Sequence, residues 1–201
     1  MNYLAHAFLA RSDEGLMLGG LLGDHVRGRR ALAAFPQPVR RGIRLHRHVD
    51  TFTDRDRGVK RLLRAFPRPF RRYAGIIVDL AFDHTLALRW DEFATASLTA
   101  FDREIRALLE RHRTLVPPPL ARFMRYADRR GLFAAYREED ELFHSLAGVG
   151  RRLSRPNPLA DTATIWPAVK GPCAETFDVV FPRVQSEVGA WVNRTSTTTG
   201  S

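Results

Sequence analysis

Residues 73–88, YAGIIVDLAFDHTLAL, form the most apolar stretch of the chain. Their large apolar side chains recur at steps of three and four residues, which is the spacing of one face of an α-helix. The stretch also contains Asp79, Asp83 and His84, and three ionisable groups make insertion into a bilayer costly. The pattern therefore predicts a helix buried inside a helical protein and excludes a membrane span.

The same helical spacing continues on both sides of this stretch. One helix is predicted after Pro38, a favourable residue for a first helical turn, and a long one over 93–115 that the prolines at 117–119 stop. No run of alternating residues between turn residues predicts a hairpin. The sequence thus predicts an all-α fold, a single-domain helical bundle over residues 1–194. Further helices are predicted at 120–130, 133–153 and 174–193.

The end of the chain differs in composition from the rest. Residues 195–201, TSTTTGS, are polar and of low complexity. Such a segment has no apolar face to pack against a core. We predict that it is a disordered tail or a remnant of expression cloning.

Length, charge and cysteine content limit the class of protein. The 201 residues suit one domain, and the net charge of +10, carried by 30 arginines and 2 lysines, favours an anionic partner. A single cysteine, Cys173, excludes an internal disulfide and a cysteine-rich zinc site and suits a reducing compartment. The first residues lack the pattern of a signal peptide, so we expect a cytoplasmic protein with no membrane partner.

Acidic and histidine residues with helical spacing occur within the most apolar third of the chain. His46 and Asp50 are four residues apart, as are Asp79 and Asp83, so each pair projects from one face of a helix. His84 follows Asp83 directly. The spacing predicts that these side chains can act in pairs.

Two further polar residues lie in apolar surroundings near the start of the chain. His6 lies in the first apolar segment, and Asp24 follows the glycine-rich stretch 18–23, LGGLLG. Burying a carboxylate is unfavourable by several kcal/mol unless it is paired or binds a cation. A divalent metal bound by histidine nitrogens and aspartate oxygens would supply the compensating charge without any cysteine.

These residues also fit interpretations without a metal. A histidine on an apolar helix face is often an ordinary hydrogen-bonded core residue, and Asp79 and Asp83 have many arginines with which to pair. Spacing alone leaves both alternatives open and names no reaction.

Four segments, taken together, resemble the acyl carrier protein phosphodiesterase family, also called acyl carrier protein hydrolyase. Their order and separations match that family, and a weaker similarity extends to about Trp191. The family is described as a divergent branch of the metal-dependent HD phosphohydrolases, so the resemblance implies an HD-like, all-α fold. The consecutive His-Asp pair of HD enzymes is not evident, because Asp83-His84 has the reverse order. The segments are MNYLAH (1–6), LGDHVRG (22–28), GIRLHRHVDTFTD (42–54) and VDLAFDH (78–84).

The resemblance implies hydrolysis of the phosphodiester that joins 4′-phosphopantetheine to a serine of holo-acyl carrier protein. The products would be apo-acyl carrier protein and 4′-phosphopantetheine, and manganese is the expected metal. Activated water would be the nucleophile, and an imidazole would orient it or protonate the leaving serine oxygen. By motif position, the residues that the resemblance carries over as the site are His6, Asp24, His46, Asp50, Asp79, Asp83 and His84. Of these we expect His6, Asp24, His46, Asp50 and Asp83 to be metal ligands, and His84 and Asp79 to be catalytic residues. Arg47 and Arg27 lie beside expected ligands, so we expect Arg47 to act in catalysis and Arg27 to bind the phosphate, although both also fit salt bridges that orient carboxylates.

The arginine-rich charge agrees with this partner, because acyl carrier proteins are small and acidic. Clusters at 27–30, 40–41 and 68–72 are candidate contacts, although a solvated arginine-rich surface is the more common explanation for any one of them. Tyr126 and Tyr136 are consistent with a channel for the pantetheine arm or with an ordinary core.

Two other classes of function remain compatible with the sequence. One is an HD-like phosphohydrolase of nucleotides or nucleic acids, although the aromatic residues lie at core spacing and form no exposed stacking strip, which disfavours a nucleic acid partner. The other is a non-catalytic module that binds the carrier protein without a metal. A chelator would distinguish the last class, because a binding module that uses no metal would keep its affinity for the carrier protein after metal removal.

Overall fold

The structure is a computed structural model and describes residues 1–128, 131 and 133–197. Every regular element within these ranges is a helix, which confirms the predicted all-α fold. No described helix combines the length and the apolar character that crossing a bilayer requires. The α-helices are α1 (Tyr3–Leu9), α2 (Glu14–Leu22), α3 (Gly28–Ala33), α4 (Gln37–Arg55), α5 (Arg57–Ala65), α6 (Ala74–Leu88), α7 (Trp90–Phe93), α8 (Leu98–Arg111), α9 (Pro118–Asp128), α10 (Glu139–Gly150) and α11 (Trp166–Thr197).

Helix α6 is the central element of the core. All of its residues from Leu80 to Ala87 are buried, because α1, α10 and α11 pack around it. The predicted helix therefore forms, but it begins at Ala74. The preceding residues, Phe70–Tyr73, make a short 3₁₀ turn. The described ranges contain three further 3₁₀ turns, Gly23–His25, Ala134–Arg137 and Leu159–Thr164.

Two of the predicted helices are divided by side chains that bind the backbone. The helix predicted over 93–115 is interrupted because the Ser97 hydroxyl accepts the Ala100 N–H at 3.2 Å and starts α8 there. The helix predicted over 133–153 begins as a 3₁₀ turn because the buried Asp102 carboxylate accepts the N–H groups of Phe133 and Ala134. Periodicity alone carries no information on these contacts.

The prolines act differently from the prediction. Helix α8 ends at Arg111, before the prolines. Pro118 and Pro119 occupy the first turn of α9, where the missing N–H groups would have no partner within the helix. Helix α11 contains Pro172 and Pro182 and begins at Trp166, eight residues before the predicted start. It continues to Thr197, into the segment predicted as a tail, and the remaining residues of that segment, 198–201, lie outside the described residues.

Helices α2 and α4 pack backbone against backbone, which positions the polar residues of α4. A Cβ atom on Gly19 would lie 2.4 Å from the Val39 carbonyl oxygen, and one on Gly42 would lie 2.4 Å from that of Leu16. Any side chain at either glycine would force the two helices apart. The glycine-rich segment of α2 therefore brings the next turns of α4 to the end of α2, where Asp24 lies.

Candidate metal centre

Four of the predicted ligands meet where α1, α4 and the 3₁₀ turn after α2 converge. His6 comes from α1, His46 and Asp50 from successive turns of α4, and Asp24 from the turn. The Nε2 atom of His6 lies 3.0 Å from Oδ1 of Asp50. The Nε2 atom of His46 lies 3.2 Å from Oδ2 of Asp50 and 3.3 Å from Oδ1 of Asp24.

The His46 ring is held in one orientation by the backbone of α2. Its Nδ1 atom lies 2.9 Å from the Gly20 carbonyl oxygen, which can only accept a hydrogen bond, so Nδ1 carries the hydrogen. A Cβ atom on Gly23 would lie 2.2 Å from Cγ of His46, so only glycine leaves room for the ring. The Nε2 lone pair of neutral His46 is therefore directed at two carboxylates.

The His6 ring stacks on the His46 ring with 3.7 Å between the ring centroids. Both rings are buried, whereas 38% of the Asp50 side chain and 57% of the Asp24 side chain are exposed. Although Asp50 is near, the buried Nε2 atom of His6 has no partner with hydrogen-bond geometry among the described residues. The cluster therefore has a dry imidazole side and an open carboxylate side.

The pKa values show how strongly these groups interact. Burial lowers the pKa of His46, but Asp24 and Asp50 outweigh burial and raise that pKa to about 9. Burial also lowers the pKa of His6, to about 4, with His46 acting in the same direction. Burial raises the pKa of Asp50, but His46 and His6 outweigh it and hold the pKa far below its usual range. Without a cation, a proton on His46 compensates part of the carboxylate charge.

The donor set fits a divalent cation. With both imidazoles neutral, the two carboxylates give the cluster a charge of −2. Donor atoms of His6, His46 and Asp50 lie within 4.8 Å of one another. Imidazole nitrogens and carboxylate oxygens are ligands of Zn²⁺, Mn²⁺ and Fe²⁺. A cation would use the His6 nitrogen that has no hydrogen-bond partner and replace the proton on His46.

Asp83, predicted as the fifth ligand, faces the backbone of α1. Its carboxylate accepts the N–H groups of Leu4 at 2.8 Å, Ala5 at 3.1 Å and Asn2 at 3.3 Å. Burial raises the pKa of Asp83 to about 7, against the effect of these hydrogen bonds. Asp83 thus caps the N-terminus of α1 and sets the position of His6, one turn further on.

Asp79 and His84, predicted as catalytic, also have other partners in the structure. Asp79 pairs with the amino group of Met1 at 2.6 Å. Nδ1 of His84 lies 2.7 Å from the Tyr136 carbonyl oxygen, and its ring packs edge-to-face on Trp166. The structure does not bring His84 into the cluster.

The two predicted arginines lie beside the turn that carries Asp24. Arg47 donates to the Val26 carbonyl oxygen at 2.6 Å and so ties α4 to this turn. Arg27 is exposed and follows the same turn, with no hydrogen bond or ion pair in the described part of the chain. Arg47 therefore has a positioning contact, and Arg27 is available to an incoming anion.

Sequence reasoning did not assign a role to Tyr3 or His25, which flank Asp24. The Tyr3 hydroxyl lies 2.9 Å from Nε2 of His25, and the two rings stack. Tyr3 and His6 are three residues apart on α1, so the helical spacing of the first segment was a signal for this placement.

The fold and the cluster together define a class, an all-α protein with a His/Asp centre suited to a divalent cation. The family described as acyl carrier protein phosphodiesterase matches residues 1–184, and the chain belongs to this family. No solved structure matches the chain.

Curated relatives are similar over most of their length. The chain is 34% identical over 161 residues to the acyl carrier protein phosphodiesterase of Photorhabdus laumondii, covering 80% of this chain and 81% of the relative. The Serratia proteamaculans protein of the same name is 35% identical, with 80% and 83% covered. The one from Salmonella agona is 30% identical over 191 residues, with 93% and 97% covered.

Proposed function

We propose that this chain is an acyl carrier protein phosphodiesterase that uses a divalent cation. Water adds to the phosphorus atom, the bond from phosphorus to the carrier protein's serine oxygen breaks, and that oxygen takes up a proton. The products are apo-acyl carrier protein and 4′-phosphopantetheine. Membership of the family and the shared name of its relatives support this reaction.

The observation that carries the proposal is the arrangement around His46. Its Nδ1–H is used by the Gly20 carbonyl group, and its Nε2 atom faces two carboxylates. Such an orientation is typical of metal-ligating histidines, whose second nitrogen donates to a backbone carbonyl. A histidine with a purely structural role would not need two carboxylates on the same nitrogen.

The proposed ligands are His6, Asp24, His46 and Asp50, and the proposed cation is Mn²⁺. When bound, such a cation supplies charge neutralisation on phosphoryl oxygens and lowers the pKa of water. Asp83 acts indirectly in this proposal, since it holds the α1 backbone that carries His6.

Two arginines beside the Asp24 turn complete the proposed site. Arg47 fixes the turn that presents Asp24, through the Val26 carbonyl oxygen. We assign the non-bridging phosphate oxygens to Arg27, because an exposed guanidinium beside Asp24 can donate two parallel hydrogen bonds. The proposed location is the cytoplasm, in agreement with the single, buried Cys173.

We also propose that the chain is distantly related to the HD-type phosphohydrolases. The all-α fold and the His/Asp donor chemistry support it. The adjacent residues Asp83 and His84 do not stand in for the consecutive pair of that class, because they bind the α1 backbone and the Tyr136 carbonyl group.

Intact-mass spectrometry of holo-acyl carrier protein tests the proposal. We expect the carrier protein to lose the phosphopantetheine mass with this protein and manganese, and to keep it with excess EDTA. The control is Asp91→Ala, which should act like the wild type. It removes an exposed carboxylate on α7, a helix that contributes no residue to the cluster. Retention of the group with folded protein and manganese would refute the carrier-protein activity, and loss in EDTA would refute the metal requirement.

A further inference from the structure

A groove of about 440 Å³ opens beside the metal centre, between the start of α1 and helices α9 and α10. This volume lies in the range of small-molecule sites. The described residues that line it include three arginines, Arg122, Arg151 and Arg152, and no carboxylate. The groove therefore suits an anionic small molecule or chain, and it is too small for a helix of a partner protein.

One end of the groove adjoins the candidate metal centre. His25 lines it and directly follows Asp24 in the chain. Burial and the Asp24 carboxylate together raise the pKa of Tyr3 to about 12 against the opposing effect of Arg152, and the same two charges act on the pKa of His25. Both charges therefore lie close to the Tyr3–His25 pair. An anion at this end would meet Arg152 and the cluster at once.

The remainder of the groove has apolar and aromatic walls with a few polar groups. Phe123 stacks on Tyr3 with 4.7 Å between the ring centroids, and Leu80 lies in the wall. Tyr126 and Ser145 add hydroxyl groups. Such walls fit a slender chain that alternates aliphatic groups with amides, since each amide needs a hydrogen-bonding partner and each aliphatic group does not.

We propose that this groove binds the pantetheine arm of the substrate, with its phosphate end beside Asp24, His25 and Arg152 and its thiol end between α9 and α10. The inference rests on the proposed function and adds the place where the prosthetic group lies. The chemistry of the groove selects this occupant, because the arm is the one part of the substrate that is both slender and joined to a phosphate. Both Tyr126 and Tyr136 line the groove. The sequence was consistent with either a channel or a core position for these two tyrosines.

Gly148 offers a way to fill the groove without disturbing the core. It lines the groove within α10, and a Cβ atom there would meet only the end of the Arg151 side chain, at 3.7 Å. Gly148→Leu therefore extends a side chain into the groove and removes a helical glycine. Gly171→Leu is the matched control, because Gly171 is an exposed glycine of α11 with open space around its Cβ position.

Calorimetric titration with pantetheine and with 4′-phosphopantetheine, in the presence of manganese, measures the groove separately from catalysis. We expect Gly148→Leu to weaken the binding of both compounds at least tenfold and to raise the KM for holo-acyl carrier protein similarly. Gly171→Leu should bind as the wild type does. Arg152 is exposed, so Arg152→Gln should not disturb the fold. This variant should bind 4′-phosphopantetheine at least fivefold more weakly and pantetheine with unchanged affinity.

The outcomes separate this inference from the proposed function. Unchanged affinity for both compounds in Gly148→Leu, with helical circular dichroism retained, would overturn the groove assignment while turnover of the carrier protein persists. Equal weakening of both compounds in Arg152→Gln would overturn the orientation. A wild type that binds pantetheine but never cleaves holo-acyl carrier protein would refute the proposed function and keep the groove.

Discussion

Asp50 on α4 and Asp83 on α6 are two carboxylates that the chain uses in opposite ways. Asp50 contacts the Nε2 atoms of two stacked imidazoles, remains partly exposed, and has a strongly lowered pKa. Asp83 is fully buried, accepts three backbone N–H groups, and has a pKa raised to about 7. The first is placed to bind a cation, and the second completes a helix.

The comparison shows that burial does not identify a ligand. A buried carboxylate needs donors, and either a metal with its histidines or the free N–H groups of a helix N-terminus can supply them. Neighbouring nitrogen atoms decide between the two. Asp50 contacts ring nitrogens that can also bind a metal, whereas Asp83 contacts amide nitrogens that cannot.

The largest effect is expected at Asp50. Asp50→Ala should lower turnover of holo-acyl carrier protein by about 1,000-fold or more, because it removes the carboxylate that both imidazoles contact. The helical circular dichroism should be unchanged, and Asp91→Ala should keep wild-type turnover. Turnover by Asp50→Ala within tenfold of the wild type would show that the comparison assigns the wrong carboxylate to the metal.

At Asp83 the expected effect is on stability. Asp83→Ala should lower the free energy of unfolding by about 2 to 4 kcal/mol, because three N–H groups of α1 lose their acceptor. Asp83→Asn should also lower the free energy of unfolding, because the asparagine side chain replaces one acceptor oxygen by an NH2 group that cannot accept a hydrogen bond from the α1 backbone. Chemical denaturation measures both. A stable Asp83→Ala variant that has lost manganese binding would instead make Asp83 a ligand.

The two environments should also respond to pH in different windows. Because the folded-state pKa of His46 is raised from 6.5 to about 9, its contribution is complete below pH 6.5 and is lost as the pH rises through 9. Metal-free protein should lose about 1 to 3 kcal/mol of unfolding free energy over this range. His46→Gln, or saturating manganese, should flatten the profile between pH 6.5 and 8, below the range in which the Met1 amino group, whose pKa is raised to about 10, adds its own loss of stability.

Asp83 affects the free energy of unfolding at lower pH than His46 does. Because its folded-state pKa is raised to about 7, the contribution of protonated Asp83 to stability is complete below pH 3.8 and is lost as the pH rises through about 7. His6 opposes this below pH 6.5, because its pKa is lowered to about 4 and the unfolded chain takes up the proton first. The difference between the pH profiles of wild type and Asp83→Asn isolates the contribution of Asp83 to stability.

The His46 prediction has its own refuting outcome. A stability profile of metal-free wild-type protein that is flat from pH 6.5 to 9 would contradict the charge assigned to His46.

The smallest effect on turnover is expected at His84. His84→Gln should keep turnover within about threefold of the wild type, since the ring contacts Tyr136 and Trp166 and not the cluster. Its free energy of unfolding should fall by about 1 kcal/mol through the lost hydrogen bond. A loss of turnover of 100-fold with unchanged stability would restore His84 as a catalytic residue.

The sequence predicts the local parts of this site and not the long-range ones. His46 and Asp50 are four residues apart on one helix, so their contact follows from helical geometry. Asp83 and His84 are adjacent, and successive helical residues point about 100° apart, so one faces α1 and the other faces Tyr136. Which of these surroundings contains the metal ligands depends on how α6 packs, and the pattern along α6 does not contain that information.

The same limit applies to the helix boundaries. The regular apolar spacing of residues 73–88 predicts α6, whereas α4 is predicted from an uneven apolar face that follows Pro38, a favourable first-turn residue. The starts of α8 and α10 depend on Ser97 and Asp102, and Asp102 acts on backbone 31 residues further along the chain. Such contacts are formed by the tertiary structure and leave no periodic signal.

The hydrogen bond between Leu4 and Asp83 joins residues that are 79 positions apart. During translation, α1 therefore leaves the ribosome long before the residue that caps it has been made. A helix of seven residues is unstable alone in water, so His6 has no fixed position at that stage. The nascent chain can complete the cluster only after α6 has been synthesised and has packed against α1, which makes assembly of the site a late event in biosynthesis.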